Sequence, residues 1–145
     1  MAKILVVDEA LSVAASVADV AVGAPGEPIE DVKGVLSRLA AVPGVTLAVL
    51  VDREGFLIES AGDLILEAEA AGALAGCLAE ASEAIGRELG QGALVGLTAE
   101  YEAGVILVNR AASGTMLATV VCDPAVLDRA RHEVKKTLSD LLALA

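Results

Sequence analysis

The 145-residue sequence has very few aromatic side chains: one Phe, one Tyr and no Trp. Its apolar fraction is nevertheless 56%, so the interior must be built from Ala, Val, Leu and Ile. Without aromatic faces the chain has no platform on which bases could stack, and no cluster of Lys or Arg interrupts the formal net charge of −11. Because this charge repels phosphate groups, the sequence argues against nucleic acid and against acidic lipid surfaces as partners.

Cysteine is also scarce, and long apolar runs are absent. Cys77 and Cys122 are too few to cross-link a domain of this size, so we expect two reduced thiols packed in the core. Asp8 and Glu9 end the apolar run that starts at Ile4, which excludes the hydrophobic region of a signal peptide. No stretch approaches the roughly 20 apolar residues of a membrane span. We therefore expect a cytoplasmic protein without membrane insertion.

The residues that common chemistries require are missing as well. No phosphate loop ending in Gly-Lys-Ser or Gly-Lys-Thr occurs, so the chain is not itself a GTPase, and no nucleophile elbow occurs. The single histidine, His132, begins a stretch like a zinc-protease helix, but Lys136 occupies the place of the second ligand. We expect no catalytic residue, no metal site and no bound cofactor.

Three further groups of residues could suggest chemistry. Gly90 to Gly96 resembles a dinucleotide loop, but it precedes a strand pattern instead of opening a helix. Arg53 and Arg110 lie in predicted loops, where an arginine could stabilise charge on a transferring phosphate, although nothing else in the sequence supports that role. The acidic residues near predicted loop ends could form an acidic rim, but they are interpreted as solvated surface charge: Asp52, Glu54, Asp63, Glu100 and Glu102.

Composition divides the chain into three parts. Residues 1–22 form a short segment of mostly small residues, residues 23–28 contain two Gly and two Pro and indicate a linker, and residues 29–145 carry continuous periodic patterning. The first segment begins like a receiver domain, but too little chain follows to complete one. An added ordered element, a remnant of a larger signalling gene and a mobile tail all remain open. An ordered element is favoured because Ile4 to Val7 are costly to expose to water.

The periodic region predicts three helices and five strands. A first helix should begin near Pro28 and end at Pro43, and a last helix should start after Asp123. The predicted strands, two of them joined in a hairpin at Gly55, are Val45 to Val51, Phe56 to Ser60, Ala93 to Tyr101, Gly104 to Asn109 and Thr115 to Cys122. The order α-ββ-α-βββ-α predicts an α+β sandwich with one five-stranded antiparallel sheet and helices on both faces.

The second predicted helix, roughly Leu64 to Leu89, has two apolar sides. Larger residues predominate along one stripe at steps of three or four: Leu66, Ala70, Leu74, Leu78, Ala81, Ile85 and Leu89. A second side carries only small residues, so a neighbouring backbone could approach it closely: Ala68, Ala71, Gly72, Ala75 and Gly76. Since each interior glycine costs about 1 kcal/mol relative to alanine, packing must compensate.

This order of elements, together with Val45 to Asp52 followed by Arg53-Glu54-Gly55-Phe56-Leu57-Ile58, resembles the roadblock (dynein light chain) domain family. The resemblance covers about Ile29 to Leu144, and Gly92 to Tyr101 with Gly104 to Val108 are similar to the third and fourth strands of that domain. It implies a homodimer or heterodimer in which the sheets join through their third strands, with the second helices adjacent. It also implies a Ras-like GTPase as partner, because bacterial members commonly act beside such a protein.

By this resemblance, two elements supply the dimer interface. The third strand would contribute Leu94, Val95, Leu97, Ala99 and Tyr101, and the second helix would contribute Leu74, Leu78, Ala81 and Ile85. Independently of the family, an aliphatic edge strand with few charges invites pairing with another chain. The same strand inside the sheet of a monomer is the alternative.

Two functions are compatible with this resemblance. The first is a non-enzymatic dimeric regulator or docking platform for a Ras-like small GTPase in a bacterial signalling or polarity system. The second is a dimerisation scaffold that does not regulate a GTPase directly. An enzyme of unknown chemistry would need a cleft with clustered titratable groups, which the sequence does not display.

Overall fold

A computed structural model describes residues 31–145, so the expectations for residues 1–22 and for the linker at 23–28 lie outside the described residues. The described chain forms three α-helices and five strands in the predicted order. Their bounds are α1 Val32–Ala40, β1 Val45–Val51, β2 Leu57–Gly62, α2 Ala68–Glu88, β3 Gly96–Tyr101, β4 Gly104–Arg110, β5 Met116–Val121 and α3 Leu127–Leu144.

The strands form one antiparallel sheet in the order β2-β1-β5-β4-β3. Short connections join β1 to β2, β3 to β4 and β4 to β5, and β1 also pairs with β5, so that β5 lies at the centre. β2 and β3 are the two edges of the sheet in the described part of the chain. This arrangement confirms the predicted α+β class.

The helices lie on opposite faces of the sheet and create two apolar cores. On one face, α1 and α3 pack against each other and against the sheet, with Leu36, Leu39 and Val134 buried beside Leu117 and Val121. On the other face, α2 packs over β1, β2 and β5. Neighbouring residues along each strand point to different cores, and both cores are built almost entirely from aliphatic side chains.

Helix α1 begins later than the sequence suggested. Asp31 is its N-cap, and its carboxylate accepts a hydrogen bond from the backbone N–H of Gly34 at 2.8 Å. An acidic cap satisfies a backbone donor that the first turn leaves free, so the first helical residue is Val32.

Helix α2 turns its small side toward the sheet. Its buried residues are Ala68, Gly72, Ala75 and Ala79. A Cβ on Gly72 would lie 2.5 Å from Val51 Cγ1, and a Cβ on Gly76 would lie 2.8 Å from the Cα of Gly55. The helix therefore approaches the sheet and the β1–β2 turn more closely than a side chain at these positions would allow.

Two further predictions from the sequence were wrong. The third strand starts at Gly96 and not at Ala93, because the preceding residues form the connection from α2. Cys77 and Cys122 are free thiols but are exposed, not packed in the core. Cys77 lies on the outer side of α2, and Cys122 follows the last residue of β5.

Candidate interaction surface and cleft

The large aliphatic residues of α2 point away from its sheet contact. Leu74 is 70% exposed, Ile85 is 61% exposed and Leu78 is 38% exposed, while Ala81 is also exposed. A monomer gains nothing from this arrangement, because the hydrophobic effect rewards burial of the larger side chains. The exposed stripe is therefore a candidate interaction surface.

Strand β3 adds apolar surface on the same side of the molecule. Leu97 of β3 and Leu94, which lies just before the strand, are half-buried and pack against the α2-side core. Strand alternation places Ala99 and Tyr101 on this side with Leu97, and Tyr101 is 59% exposed. Since α2 lies over β1, β2 and β5, it leaves the α2 side of β3 open. The structure thus places Leu97, Ala99 and Tyr101 on the α2 side of the sheet, whereas Val95 lies before β3 and is 80% exposed.

The outer border of β3 carries backbone groups that β4 does not use. The N–H of Arg110 donates to the carbonyl of Val95 at 3.0 Å, and the register of β3 against β4 continues without a bulge. Because bonded and non-bonded pairs alternate in an antiparallel ladder, the N–H and C=O groups of Gly96, Thr98 and Glu100 face away from β4. They form a sheet edge that is free within the described part of the chain.

The β1–β2 turn is fixed by a buried carboxylate. Asp52 is 1% exposed, so the interpretation of this residue as solvated surface charge was wrong. Its Oδ1 accepts hydrogen bonds from the backbone N–H groups of Glu54 and Phe56, each at 2.9 Å. Gly55 completes the turn with a φ of 90°, which favours glycine. This turn holds Arg53 beside the β4–β5 connection, where its guanidinium lies over Gly114.

A cleft of about 590 Å³ opens between this turn, α2 and the β4–β5 connection. Three arginines and three glutamates line it: Arg53, Arg87, Arg110, Glu54, Glu80 and Glu83. Arg110 donates to Glu83 at 2.8 Å. The sequence predicts that Arg53 and Arg110 lie in loops, but it does not reveal this cleft, since only the fold brings the two arginines to the same side of α2.

No group of three His, Cys, Asp or Glu residues that could hold a metal ion occurs within residues 31–145. In the same range, no helix is both long and apolar enough to cross a membrane.

Comparison with known proteins places this geometry in a family. Residues 31–121 match the Roadblock/LC7 domain, and the chain belongs to that family. No curated protein matches the sequence.

Solved structures share the fold. A Roadblock/LC7 domain from Streptomyces avermitilis is 29% identical, with a TM-score of 0.63 over 74% of this chain and 94% of that chain. MglB from Myxococcus xanthus is 20% identical, with a TM-score of 0.71 over 79% and 90% of the two chains. The gliding protein MglB from Thermus thermophilus is 23% identical, with a TM-score of 0.68 over 77% and 85%.

Proposed function

We propose that this protein is a cytoplasmic homodimer that serves as a non-enzymatic docking platform and regulator for a Ras-like small GTPase. One observation carries the proposal: the free edge of β3 and the exposed aliphatic stripe of α2 lie on the same face. Membership of the Roadblock/LC7 family supports it, because the resemblance drawn from the sequence implies paired third strands and a GTPase partner.

Pairing two copies would both satisfy the free backbone groups of β3 and bury the exposed aliphatic side chains of α2. The free backbone groups of one β3 would bond to those of the other, and Leu74, Leu78 and Ile85 would lose contact with water. In a two-fold interface each contact occurs twice, and full burial of a leucine side chain contributes about 1.5–3 kcal/mol. The two sheets would then form one continuous surface with both α2 helices on one side.

The dimer is tested with two leucines of similar exposure. Leu74→Asp places a charge in the proposed interface, where Leu74 is 70% exposed, whereas Leu142→Asp places one on α3, where Leu142 is 67% exposed. Light scattering after gel filtration at micromolar concentration should give a dimer for the parent protein and Leu142→Asp, and a monomer for Leu74→Asp. A monomeric parent protein, or a dimer unaffected by Leu74→Asp, would contradict this interface.

Regulation requires different affinities for the two nucleotide states, because a partner shifts an equilibrium only by its differential affinity. The test uses the Ras-like GTPase encoded nearest to this gene, loaded with GDP or with a non-hydrolysable GTP analogue. We expect binding to differ between the two states and the rate of GTP hydrolysis to change. A dimer that binds neither state, or both equally, would favour the scaffold function instead.

A further inference from the structure

The cationic side chains of this acidic protein are distributed unevenly. Of the ten Lys and Arg residues, Lys3 lies outside the described residues and six lie on α1 and α3. The other three are Arg53, Arg87 and Arg110, and all of them line the cleft beside α2. They come from the β1–β2 turn, the end of α2 and the end of β4. Folding therefore collects every described cation outside the α1–α3 layer at one place.

Two of these guanidinium groups are available to a ligand. Arg110 is paired with Glu83 at 2.8 Å, whereas neither Arg53 nor Arg87 has a carboxylate within 4.0 Å among the described residues. The Arg53 guanidinium lies across Gly114, since a Cβ at that position would be 2.8 Å from its Nη2. Gly76 lines the α2 side of the cleft, opposite Gly114 of the β4–β5 connection.

The lining determines which anion fits. A planar guanidinium matches a carboxylate or phosphate through two parallel hydrogen bonds. Glu54, Glu80 and Glu83 line the same cleft, and they repel a ligand that carries several negative charges. A single carboxylate carries one charge and is therefore repelled less, which makes it the anion best matched to a cleft lined by Arg53 and Arg87. A nucleoside triphosphate or another polyphosphate would be repelled by the three glutamates of the cleft.

The cleft is separate from the proposed dimer face. Successive helical residues are rotated by about 100°, so Gly76, Glu83 and Arg87 share one flank of α2, and Leu78 and Ile85 lie on the opposite flank. Dimerisation through Leu78 and Ile85 would therefore leave the cleft open to another protein.

We propose that this cleft binds the carboxylate of an Asp or Glu side chain on a docking protein, through Arg53 and Arg87. The inference goes beyond the proposed function, because it names the side chain that the platform recognises. It does not depend on the dimer, since each copy carries a complete cleft.

The test follows the arginine Nε–Hε signals by NMR while a blocked peptide, acetyl-Gly-Asp-Gly-amide, is added to the ¹⁵N-labelled protein. We expect saturable shifts for Arg53 and Arg87, no change for Arg129 on α3, and no change with acetyl-Gly-Asn-Gly-amide. Equal shifts at Arg129, or shifts that never saturate, would overturn the proposal. Saturation by pyrophosphate at lower concentration than the Asp peptide would assign the cleft to polyanions. If acetate saturates the cleft at the same concentration as the peptide, the cleft binds any carboxylate, and the proposal of a docking protein is wrong.

Charge-neutral variants separate the cleft from general electrostatics. Arg53→Gln and Arg87→Gln should each weaken peptide binding at least fivefold, while Arg129→Gln changes the overall charge equally and should leave it unchanged. All three side chains are exposed, and circular dichroism checks that each variant folds. Equal weakening by all three variants would show that binding follows net charge and not the cleft.

Discussion

Gly76 of α2 lies directly against Gly55 of the β1–β2 turn, so that a Cβ on Gly76 would be 2.8 Å from the Gly55 Cα. This contact joins two backbones, and neither has a side chain that can move aside. It fixes the height of α2 above the sheet and the position of the turn that carries Arg53. The exposed stripe of α2 and the cleft both depend on it.

Gly76→Ala should therefore destabilise the fold. Overpacking of a tight site costs about 1–3 kcal/mol, and the better helix propensity of alanine recovers about 1 kcal/mol of that loss. Gly86→Ala is the matched control, because its Cβ would meet only the carbonyl oxygen of Gly92 at 3.0 Å, in an exposed loop that can shift. Urea denaturation should show a clear loss for Gly76→Ala and no loss, or a gain of up to about 1 kcal/mol, for Gly86→Ala. Equal stability of the two variants would contradict this account.

The sequence was sufficient for the order of elements because hydrophobic periodicity and turn residues are local signals. Asp52 and Gly55 are residue types that favour a turn, and Asp123 is a residue type that favours a helix N-cap. In the structure, Asp52 and Gly55 form the β1–β2 turn, and Asp123 is an N-cap. The fold class and the family could therefore be predicted.

The sequence could not determine which side of α2 faces the sheet. Periodicity indicates that Leu78 and Gly72 each lie on an apolar side of α2. Which of these two sides faces the sheet depends on how closely the β1–β2 turn approaches the helix. The cleft was missed for a related reason. Arg53, Arg87 and Arg110 are far apart in the chain, and only the packing of three elements brings them together.

The free edge of β3 gives a test that leaves the fold intact. The N–H of Thr98 faces away from β4, so Thr98→Pro removes a donor that no strand within residues 31–145 uses. We expect Thr98→Pro to fold but to be monomeric by light scattering. Thr98→Ala loses the same hydroxyl contact to Arg131 but keeps the N–H, and it should remain dimeric. A dimeric Thr98→Pro variant would show that β3 is not the pairing edge.

The buried carboxylate of Asp52 should be important for stability. Asp52→Ala leaves the N–H groups of Glu54 and Phe56 without their acceptor, and hydrogen bonds to a charged group contribute about 1.5–3 kcal/mol each. We expect a loss of about 3 kcal/mol in urea denaturation. Glu54→Ala keeps both backbone donors and should stay within about 0.5 kcal/mol of the parent protein. A stable Asp52→Ala variant would mean that the turn forms without this side chain.

If β3 and α2 form the interface, thermal stability must depend on protein concentration. Binding to the folded state alone stabilises it by mass action, and each tenfold increase in concentration corresponds to about 1.4 kcal/mol per dimer. For a dimer of this size, that energy should raise Tm by roughly 2–4 °C per tenfold increase in concentration. Leu74→Asp and Thr98→Pro should each have a Tm independent of concentration, because a monomer gains no stability from further copies of itself. A parent Tm that stays constant between roughly 1 and roughly 100 µM would show that neither surface mediates self-association.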